Sequence, residues 1–318
     1  MEYKLLKEFK NYEELYKIWN DEFHQDFLIT KEVFYRNVIN CINVCDEASF
    51  VAVDDNQVVG FIVAKTWNEI YKVNGYEDTG WISILYVRKS YRNCSIGTTL
   101  LTMSEDALKS LGKSTINLGK DPNNFFPGIP SQYTSSIHWF EKRGYTLVRD
   151  TYDLMNEVDN HTQLIKLPEI QYEIQYLTNG YYHKTMEFME RNFPGRWSYE
   201  LYDYRHRGGT GREYLILIDK GDVIGFCRVN DHNTAIINYN MTWVGSFKKP
   251  GGIGPLGIDS NYRGQNLGFY IVAYATNELI QKNVSNIVID WTSLISFYQK
   301  FGFSVWKTYR YAFKSIKR

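Results

Sequence analysis

The chain has few cysteines and no long hydrophobic run. Its 318 residues include four cysteines, Cys41, Cys45, Cys94 and Cys227, whose spacing matches no zinc-binding pattern. It has no apparent signal peptide, and no apolar run approaches the roughly 18 residues that a membrane-spanning helix needs. We therefore predict a reduced, cytoplasmic protein without a metal site.

The chain also lacks an excess of charge of either sign. Lysine plus arginine and aspartate plus glutamate each number 36, so the formal net charge at pH 7 is zero. A neutral chain has no general electrostatic attraction for nucleic acids or anionic membranes, and we expect neither as a partner. Hydrophobic residues make up 44% and charged residues 23%, which is typical of a folded globular protein and excludes wholesale disorder.

The most informative stretch runs from residue 251 to 303. An apolar segment at 254–258 leads to the turn Arg263–Gly268, and an amphipathic stretch, Phe269–Lys282, and a β-branched run at 285–290 follow. These patterns predict a strand, a glycine-containing loop, a helix and a second strand. The first backbone amides of a helix lack internal partners, so such a loop is suited to binding phosphate.

A second copy of this stretch lies upstream. At an offset of 171 residues, Arg92 corresponds to Arg263 and Gly97 to Gly268. Past residues 121–135 the offset falls to 158, because the first copy has 13 extra residues there, and their prolines and glycine predict a loop. An offset preserved from strand through loop and helix to strand indicates an internal duplication.

The arrangement resembles the GNAT superfamily of acetyl-CoA-dependent N-acetyltransferases. That family carries Arg-x-x-Gly-x-Gly/Ala after a strand and Tyr-x-Lys-x-Gly-Phe about a helix and a strand later. The second copy supplies the matching residues Arg263, Gly268, Tyr298, Lys300, Gly302 and Phe303. It departs at Asn266, where the family usually has glycine. The first copy departs at Ser95, for the same glycine, and at Phe140, which aligns with Tyr298.

The resemblance implies an α/β fold with two tandem GNAT-like domains, each a mixed, centrally splayed sheet flanked by helices. We place the N-terminal domain at residues 1–156 and the C-terminal domain at 170–318, with the polar stretch Asn156–Ile170 at the boundary. Tandem members of the family are known in which one domain reacts and the other is degenerate. The first domain, with Phe140 in place of the tyrosine, is the candidate for the degenerate one.

The resemblance also implies acetyl-CoA as the co-substrate. Loop amides and the helix dipole would hold its pyrophosphate, and a backbone N–H of the preceding strand would polarise the thioester. In the second domain the implied residues are Leu256, Gly257, Ile258, Arg263, Gly264, Gln265, Asn266, Leu267 and Gly268. In the first they are Leu85, Tyr86, Val87, Arg92, Asn93, Cys94, Ser95, Ile96 and Gly97.

Two residues are candidates for the proton transfers. The family motif implies Tyr298 as the acid that protonates the departing thiolate, and the alternative is that it is a packing aromatic. Asp290, at the end of the strand before it, is a candidate base, or else a cap of a helix starting near Ser293. Phe140 cannot give a proton, so the first domain either binds without catalysing or uses another hydroxyl such as Tyr133.

Two functions are consistent with these residues. The first is an N-acetyltransferase, a monomer or homodimer, in which the amine of a small-molecule or amine-bearing acceptor attacks the thioester directly and the C-terminal domain carries catalysis. The alternative is a non-catalytic CoA-binding sensor or scaffold, with phosphate loops eroded at Ser95 and Asn266. Retention of Tyr298 favours the enzyme, because a pure binder needs no acid at that position.

Overall fold

The computed structural model describes residues 1–316. The first half of the chain forms, in order, β1 (Glu2–Leu5), α1 (Tyr12–Phe27), α2 (Lys31–Phe34), β2 (Phe50–Asp54), β3 (Gln57–Thr66), β4 (Thr79–Val87), α3 (Ile96–Ser110), β5 (Thr115–Leu118), β6 (Ile129–Pro130), α4 (Thr134–Glu141) and β7 (Thr146–Glu157). The second half forms β8 (Glu173–Tyr176), α5 (Tyr182–Asn192), α6 (Arg196–His206), β9 (Tyr214–Asp219), β10 (Asp222–Asn230), β11 (Pro250–Ile258), α7 (Leu267–Gln281), β12 (Asn286–Thr292), α8 (Ile295–Tyr298) and β13 (Ser304–Ser315). Within the described residues, none of the helices has the length and apolar character needed to cross a membrane.

The chain divides into two compact units that are not contiguous in sequence. Unit 1 comprises Met1–Ile70, Asn74–Thr151 and the residues from Thr308 onward, and unit 2 comprises Tyr71–Val73 and Tyr152–Lys307. The sequence-based domains, 1–156 and 170–318, differ from these units mainly at the last strand of each half. The reason is that an alternating strand pattern encodes which face is buried, but not which sheet the strand joins.

In unit 1 the strand order is β1-β2-β3-β4-β5-β13. Neighbours are antiparallel except for β4 and β5, which run parallel. The parallel pairing covers Thr79–Ile82, whereas β4 continues to Val87. The two central strands therefore separate past Ile82.

In unit 2 the strand order is β8-β9-β10-β11-β12-β7. The parallel pair here is β11 and β12, which are joined over Pro250–Gly252, whereas β11 continues to Ile258. The last neighbour, the part of β7 from Tyr152, is antiparallel to β12. The predicted mixed α/β architecture with a centrally splayed sheet is confirmed in both units.

The predicted duplication is visible in the backbone around the two loops. The helices α3 and α7 both have 15 residues and start and end at the offset of 171. Arg92 has φ −70° and ψ 156°, and Arg263 has φ −68° and ψ 157°. Ser95 and Asn266 both have a φ of 62°, the left-handed conformation in which glycine is usual. The two departures from glycine therefore preserve the loop, although a left-handed serine costs roughly 1–2 kcal/mol.

The helix α7 is held on unit 2 by one apolar face. Ile271, Ala275 and Leu279 recur every four residues, are fully buried and belong to one cluster with Ile253 of β11 and Ile287 of β12. Burying each large side chain contributes about 1.5–3 kcal/mol. This packing fixes the first turn of α7 beside the end of β11, where the loop lies.

Candidate active site

A cleft of about 640 Å³ lies in unit 2 between the end of β11, the loop and the start of α7, with the rings of Phe193 and Phe297 at its sides. Eight of the nine predicted cofactor residues of this half line it: Leu256, Gly257, Ile258, Arg263, Gly264, Asn266, Leu267 and Gly268. The ninth, Gln265, accepts a hydrogen bond from the Tyr172 hydroxyl at 2.6 Å. The structure thus brings the predicted set together around one opening.

The cleft has the chemistry of an anion site. The Arg263 Nε donates to the carbonyl of Ile258 at 3.3 Å, and no carboxylate pairs with this guanidinium among residues 1–316. The side chain of Asn266, the residue before α7, makes no capping hydrogen bond, so it leaves the first amides of the helix available to a ligand. Gly268 faces open space, because a Cβ placed there would meet no atom within 4 Å. A phosphate group fits this combination of arginine, helix amides and free volume.

Asp290 lies in a bulge of β12. The register of β12 against β7 shifts between Ile289 and Thr292. The two residues in the bulge, Asp290 and Trp291, lie opposite Asp153. Trp291 has a φ of 47°, and its N–H donates to the Asp153 carboxylate at 3.0 Å. A left-handed tryptophan is strained, so the surrounding structure enforces this bulge.

The interpretation of Asp290 as a helix cap is wrong. The helix α8 begins at Ile295, and its cap residue is Leu294. The hydroxyl of Thr292 accepts the N–H of Leu294 at 3.1 Å. Asp290 lies inside β12, which continues to Thr292, and is therefore too far from the first turn of this helix to cap it.

The surroundings of Asp290 favour its neutral form. Desolvation by burial raises the pKa of the Asp290 carboxyl to about 7, helped by the negative charges of Asp153 and Glu200, and the guanidinium of Arg196 opposes this rise in part. A carboxyl with this pKa is partly ionised at neutral pH. It can therefore accept a proton from an ammonium group and release it again.

The helix α6 contributes charged residues that the sequence did not single out. The Nε of Arg196 donates to the Glu200 carboxylate at 2.8 Å. The guanidinium lies 4.3 Å from the Tyr239 ring centroid and 4.4 Å from that of Trp291. Glu200 and Asp153 lie far from Asp290 in the sequence and belong to no motif, so only the tertiary structure identifies them.

Tyr298 ends α8 and exposes 6% of its surface. Its ring packs edge-on against Phe303, with the centroids 6.2 Å apart. Burial raises the pKa of the Tyr298 phenol, with smaller contributions from Cys227 and Asp290, so the oxygen keeps its proton at neutral pH. Within residues 1–316 no hydrogen bond engages this hydroxyl. The residue is thus a packing aromatic whose proton remains available for donation.

Unit 1 has neither of the two candidate catalytic groups. Phe140 aligns with Tyr298, and Gly119 lies 171 residues before Asp290. A Cβ placed on Gly119 would overlap with the carbonyl oxygen of Phe126, which belongs to the insertion at 121–135. The insertion therefore occupies the space that the Asp290 side chain takes in unit 2.

A buried ion pair fixes the insertion in unit 1. The Lys65 ammonium and the Asp121 carboxylate are both fully buried and 2.6 Å apart. Lys65 also donates to the carbonyls of Pro122 and Asn123, at 2.9 and 2.8 Å. The hydroxyl of Ser83, the first β4 residue past the separation from β5, donates to Asp121 at 2.7 Å. The insertion thus lies in the split between these two strands.

The predicted cofactor residues of unit 1 lie at the end of β4 and in the loop that follows it. The charge of Arg92, the charged residue of this set, is already compensated. The Arg92 guanidinium forms an ion pair with Glu22 of α1, and the Tyr86 hydroxyl donates to the same carboxylate at 3.0 Å. The ring of Trp139 lies 3.6 Å from the point where a Cβ on Gly97 would be. A phosphate at this loop would therefore meet Glu22 as well as Arg92.

Tyr133, the other hydroxyl considered for unit 1, is hydrogen-bonded to the carboxylate of Asp26. Burial raises its pKa to about 12, and the charges of Asp26 and Glu22 act in the same direction. Its ring packs between Phe23 and Phe27 of α1.

Two regions of the chain match a known protein family. A model of the acetyltransferase (GNAT) family matches residues 12–145 and 180–303. No functionally curated protein matches the sequence. Among solved structures, a GCN5-related glucosamine N-acetyltransferase region of a fungal multi-domain GH3 β-N-acetylglucosaminidase has a TM-score of 0.85 at 22% identity, over 98% of this chain and 38% of that one.

Two further acetyltransferase structures are also similar. A GCN5-related N-acetyltransferase from Sphaerobacter thermophilus has a TM-score of 0.64 at 18% identity, over 86% of this chain and 82% of that one. A tandem GNAT protein from the clavulanic acid biosynthesis pathway has a TM-score of 0.59 at 14% identity, over 85% and 83%. At such low identities, these structural similarities establish the fold alone. The two regions that the family model matches cover most of the chain and coincide with its duplicated halves, and the chain therefore belongs to the acetyltransferase (GNAT) family as a tandem member.

Proposed function

We propose that unit 2 transfers an acetyl group from acetyl-CoA to the primary amine of an acceptor, and that unit 1 does not. The observation that carries the proposal is the difference between equivalent positions. Asp290 lies just past Val288, the last β12 residue paired with β11, and its charge helps to raise the pKa of the Tyr298 phenol, whereas Gly119 and Phe140 take their places in unit 1. Both groups that move protons are therefore confined to one unit.

The residues around the cleft of unit 2 would hold the carrier. In our proposal the amides from Gly264 to Gly268 and the guanidinium of Arg263 bind the pyrophosphate. The backbone of Leu256–Ile258, which lines the same cleft, binds the pantetheine arm. One N–H of this segment polarises the thioester oxygen as negative charge develops on it.

The two candidate groups divide the proton transfers between them. Acetyl-CoA supplies an acetyl thioester, whose C–S bond breaks as a C–N bond forms to the acceptor. The Asp290 carboxylate accepts one of the two protons that the acceptor nitrogen loses, and later releases it to solvent. Tyr298 gives its phenolic proton to the leaving sulfur and regains a proton from the second that the nitrogen loses. One proton is released in each cycle.

Unit 1 keeps the fold and has lost the means to bind the carrier. Glu22 neutralises Arg92 and would repel a pyrophosphate at the loop. The insertion at 121–135 fills the split that an acceptor would enter. We propose that unit 1 has a structural role and binds no CoA.

We place the reaction in a reducing compartment such as the cytoplasm. All four cysteines are free thiols, and three of them, Cys41, Cys45 and Cys227, are buried. Cys94 is exposed. Free exposed thiols persist where the medium is reducing.

Release of free thiol from acetyl-CoA in the presence of an amine panel tests this function. We expect Tyr298→Phe to lower kcat roughly 10²-fold, because the ring and its packing remain while the acid is lost. The matched control is Tyr133→Phe in unit 1, which should leave kcat within about twofold. Full activity in Tyr298→Phe together with collapse in Tyr133→Phe would move the chemistry to unit 1. CoA binding without thiol release from any amine would indicate a sensor.

A further inference from the structure

We propose that the acceptor of unit 2 is an amino sugar, that is, an amine with several hydroxyl groups and no phosphate or carboxylate. It would bind to a set of polar residues on one face of the sheet, here called the polar cluster: the buried Asp153, Glu200, Asn230, Asn238 and Asn240, and the half-buried Asp290. This inference rests on the acetyl transfer proposed for unit 2 and specifies its substrate class.

Strand alternation places part of the polar cluster on the face beneath α6. Val229 packs in the cluster that contains α7, so its neighbour Asn230 points to the opposite face of β10. On that opposite face, Phe226 packs in a cluster with Leu201 of α6. The same helix carries Glu200, so Asn230 and Glu200 belong to one side of the sheet.

Asp290 is on the same side. In β12, Ile287 and Ile289 belong to the cluster with α7, so Val288 and Asp290 point the other way. Val288 packs accordingly with Met241, next to Asn240 in the chain. The effect of Glu200 on the Asp290 carboxyl agrees with this placement, since it requires the two side chains to be near each other.

Two asparagines lie where β11 and β12 separate. The Nδ2 of Asn238 donates to the carbonyl of Gly254 at 2.7 Å, and that of Asn240 lies 3.4 Å from the same oxygen. Gly254 is two residues past Gly252, the last β11 residue paired with β12. A Cβ placed on Gly254 would meet no atom within 4 Å. The polar cluster therefore borders the open split.

Several polar atoms of this cluster have no partner among residues 1–316. Asn230 is fully buried, and neither its oxygen nor its nitrogen is hydrogen-bonded. The side-chain oxygens of Asn238 and Asn240 are also unpartnered, as is one oxygen of Glu200, a residue that exposes 5% of its surface. Buried polar groups are almost always paired, so this concentration points to a ligand that offers both donors and acceptors.

The charge of the polar cluster determines which sign of charge the ligand carries. It contains three carboxyl groups, on Asp153, Glu200 and Asp290, and the guanidinium of Arg196 pairs with Glu200. A second buried guanidinium, that of Arg228, lies on the same face of β10 as Asn230 and donates to the carbonyl of Ile236, so the carboxyl groups outnumber the guanidinium groups by three to two. Such a site attracts an ammonium group and repels phosphate or carboxylate on the same molecule.

Hydroxyl groups distinguish an amino sugar from a polyamine. A hydroxyl both donates and accepts, so it satisfies the oxygens of Asn238 and Asn240 and also the free Nδ2 of Asn230. A protonated polyamine has no acceptor for that Nδ2, and its methylene groups would leave the amides unpaired. A site built around hydroxyl groups discriminates strongly against analogues that lack them.

Turnover with three amines tests the substrate class. We expect kcat/KM for glucosamine to exceed that for glucosamine 6-phosphate and that for spermidine by at least about tenfold each, because the first competitor adds an anion and the second lacks hydroxyls. A preference for either competitor would overturn the inference.

Two variants test the residues. At pH 8, Glu200→Gln should raise KM for glucosamine about tenfold and change kcat little, whereas Glu278→Gln, on α7 and bonded to Tyr176, should change neither. Asn230→Leu should weaken glucosamine binding in calorimetry without lowering the thermal stability, because the amide has no partner to lose. An unchanged KM in Glu200→Gln together with unchanged binding in Asn230→Leu would overturn the inference.

Calorimetric titration of the full chain with glucosamine separates this inference from the proposed function. Binding that depends on Asn230, without thiol release from any amine, would contradict the function and support the substrate class. Turnover of spermidine alone would contradict the substrate class and support the function. Neither binding nor turnover would contradict both.

Discussion

The loops that follow β4 and β11 have nearly the same backbone and different chemical surroundings. Arg92 and Arg263 agree within 2° in φ and 1° in ψ. Yet Arg92 is paired with Glu22, whereas no carboxylate among residues 1–316 pairs with Arg263. The duplication therefore preserved the shape of the loop in both units. Of these two arginines, only Arg263 is without a carboxylate partner among the residues that the structure describes.

The split in the sheet shows the same contrast. In unit 2 it contains Asp290 in a strained bulge, and the space at Gly254 is open. In unit 1 the residue equivalent to Asp290 is Gly119, and the carbonyl of Phe126 covers it. A fold can thus keep its splayed strands after the cleft between them has been filled by its own chain.

Removing the Asp290 carboxylate is the most severe way to break this comparison between the two units. We expect Asp290→Asn to lower kcat/KM by roughly 10²–10⁴ at pH 7, because the amide cannot take a proton from the acceptor. Steady-state thiol release measures the effect. Asp222→Asn, a highly exposed carboxylate of the same unit, is the control and should keep full activity. If Asp290→Asn retained most of its activity, Asp290 would not be the base.

A change in unit 1 should affect stability and not turnover. Lys65→Met leaves the buried Asp121 carboxylate without its ion-pair partner, which should cost about 3–5 kcal/mol in the free energy of unfolding. Urea denaturation measures this loss. Below the unfolding transition, kcat should equal that of the parent protein, and a folded but inactive Lys65→Met variant would show that unit 1 takes part in the reaction.

The pH dependence of kcat/KM tests the role of Asp290 in unit 2 through smaller effects. The base must be ionised, and burial raises the Asp290 pKa to about 7, so kcat/KM should fall as the pH drops through this value. Glu200→Gln removes a negative charge that contributes to the raised pKa, so the acid limb should move to lower pH. Compared with its own activity at pH 8, this variant should then keep a few-fold more activity at pH 6 than the parent protein. An acid limb at the same pH in both proteins would separate Glu200 from Asp290.

Much of this organisation could be predicted from the sequence, because it is encoded locally. The strand, loop and helix around Arg263 follow from periodicity and glycine placement, and the fixed offset predicts the same elements around Arg92. The insertion at 121–135 is recognisable by its prolines and glycine. The difference between Tyr298 and Phe140 follows from the alignment alone.

The parts that could not be predicted depend on contacts between distant segments. Nothing in the pattern of β13 indicates that its residues from Thr308 onward join unit 1, since an alternating strand fits either sheet. Glu200 and Asp153 lie in an ordinary helix and strand, and only the fold brings them near Asp290. Glu22 likewise appears as a surface residue of α1 until it is found against Arg92.

Calorimetric titration of the full chain with CoA tests most directly the claim that only unit 2 has a working site. Gly268→Val and Gly97→Val are the matched variants. We predict one CoA per chain, strongly weakened binding in Gly268→Val, where the added side chain enters open space at the cleft, and unchanged binding in Gly97→Val. Two CoA molecules per chain, or loss of binding in Gly97→Val with Gly268→Val unaffected, would contradict the account.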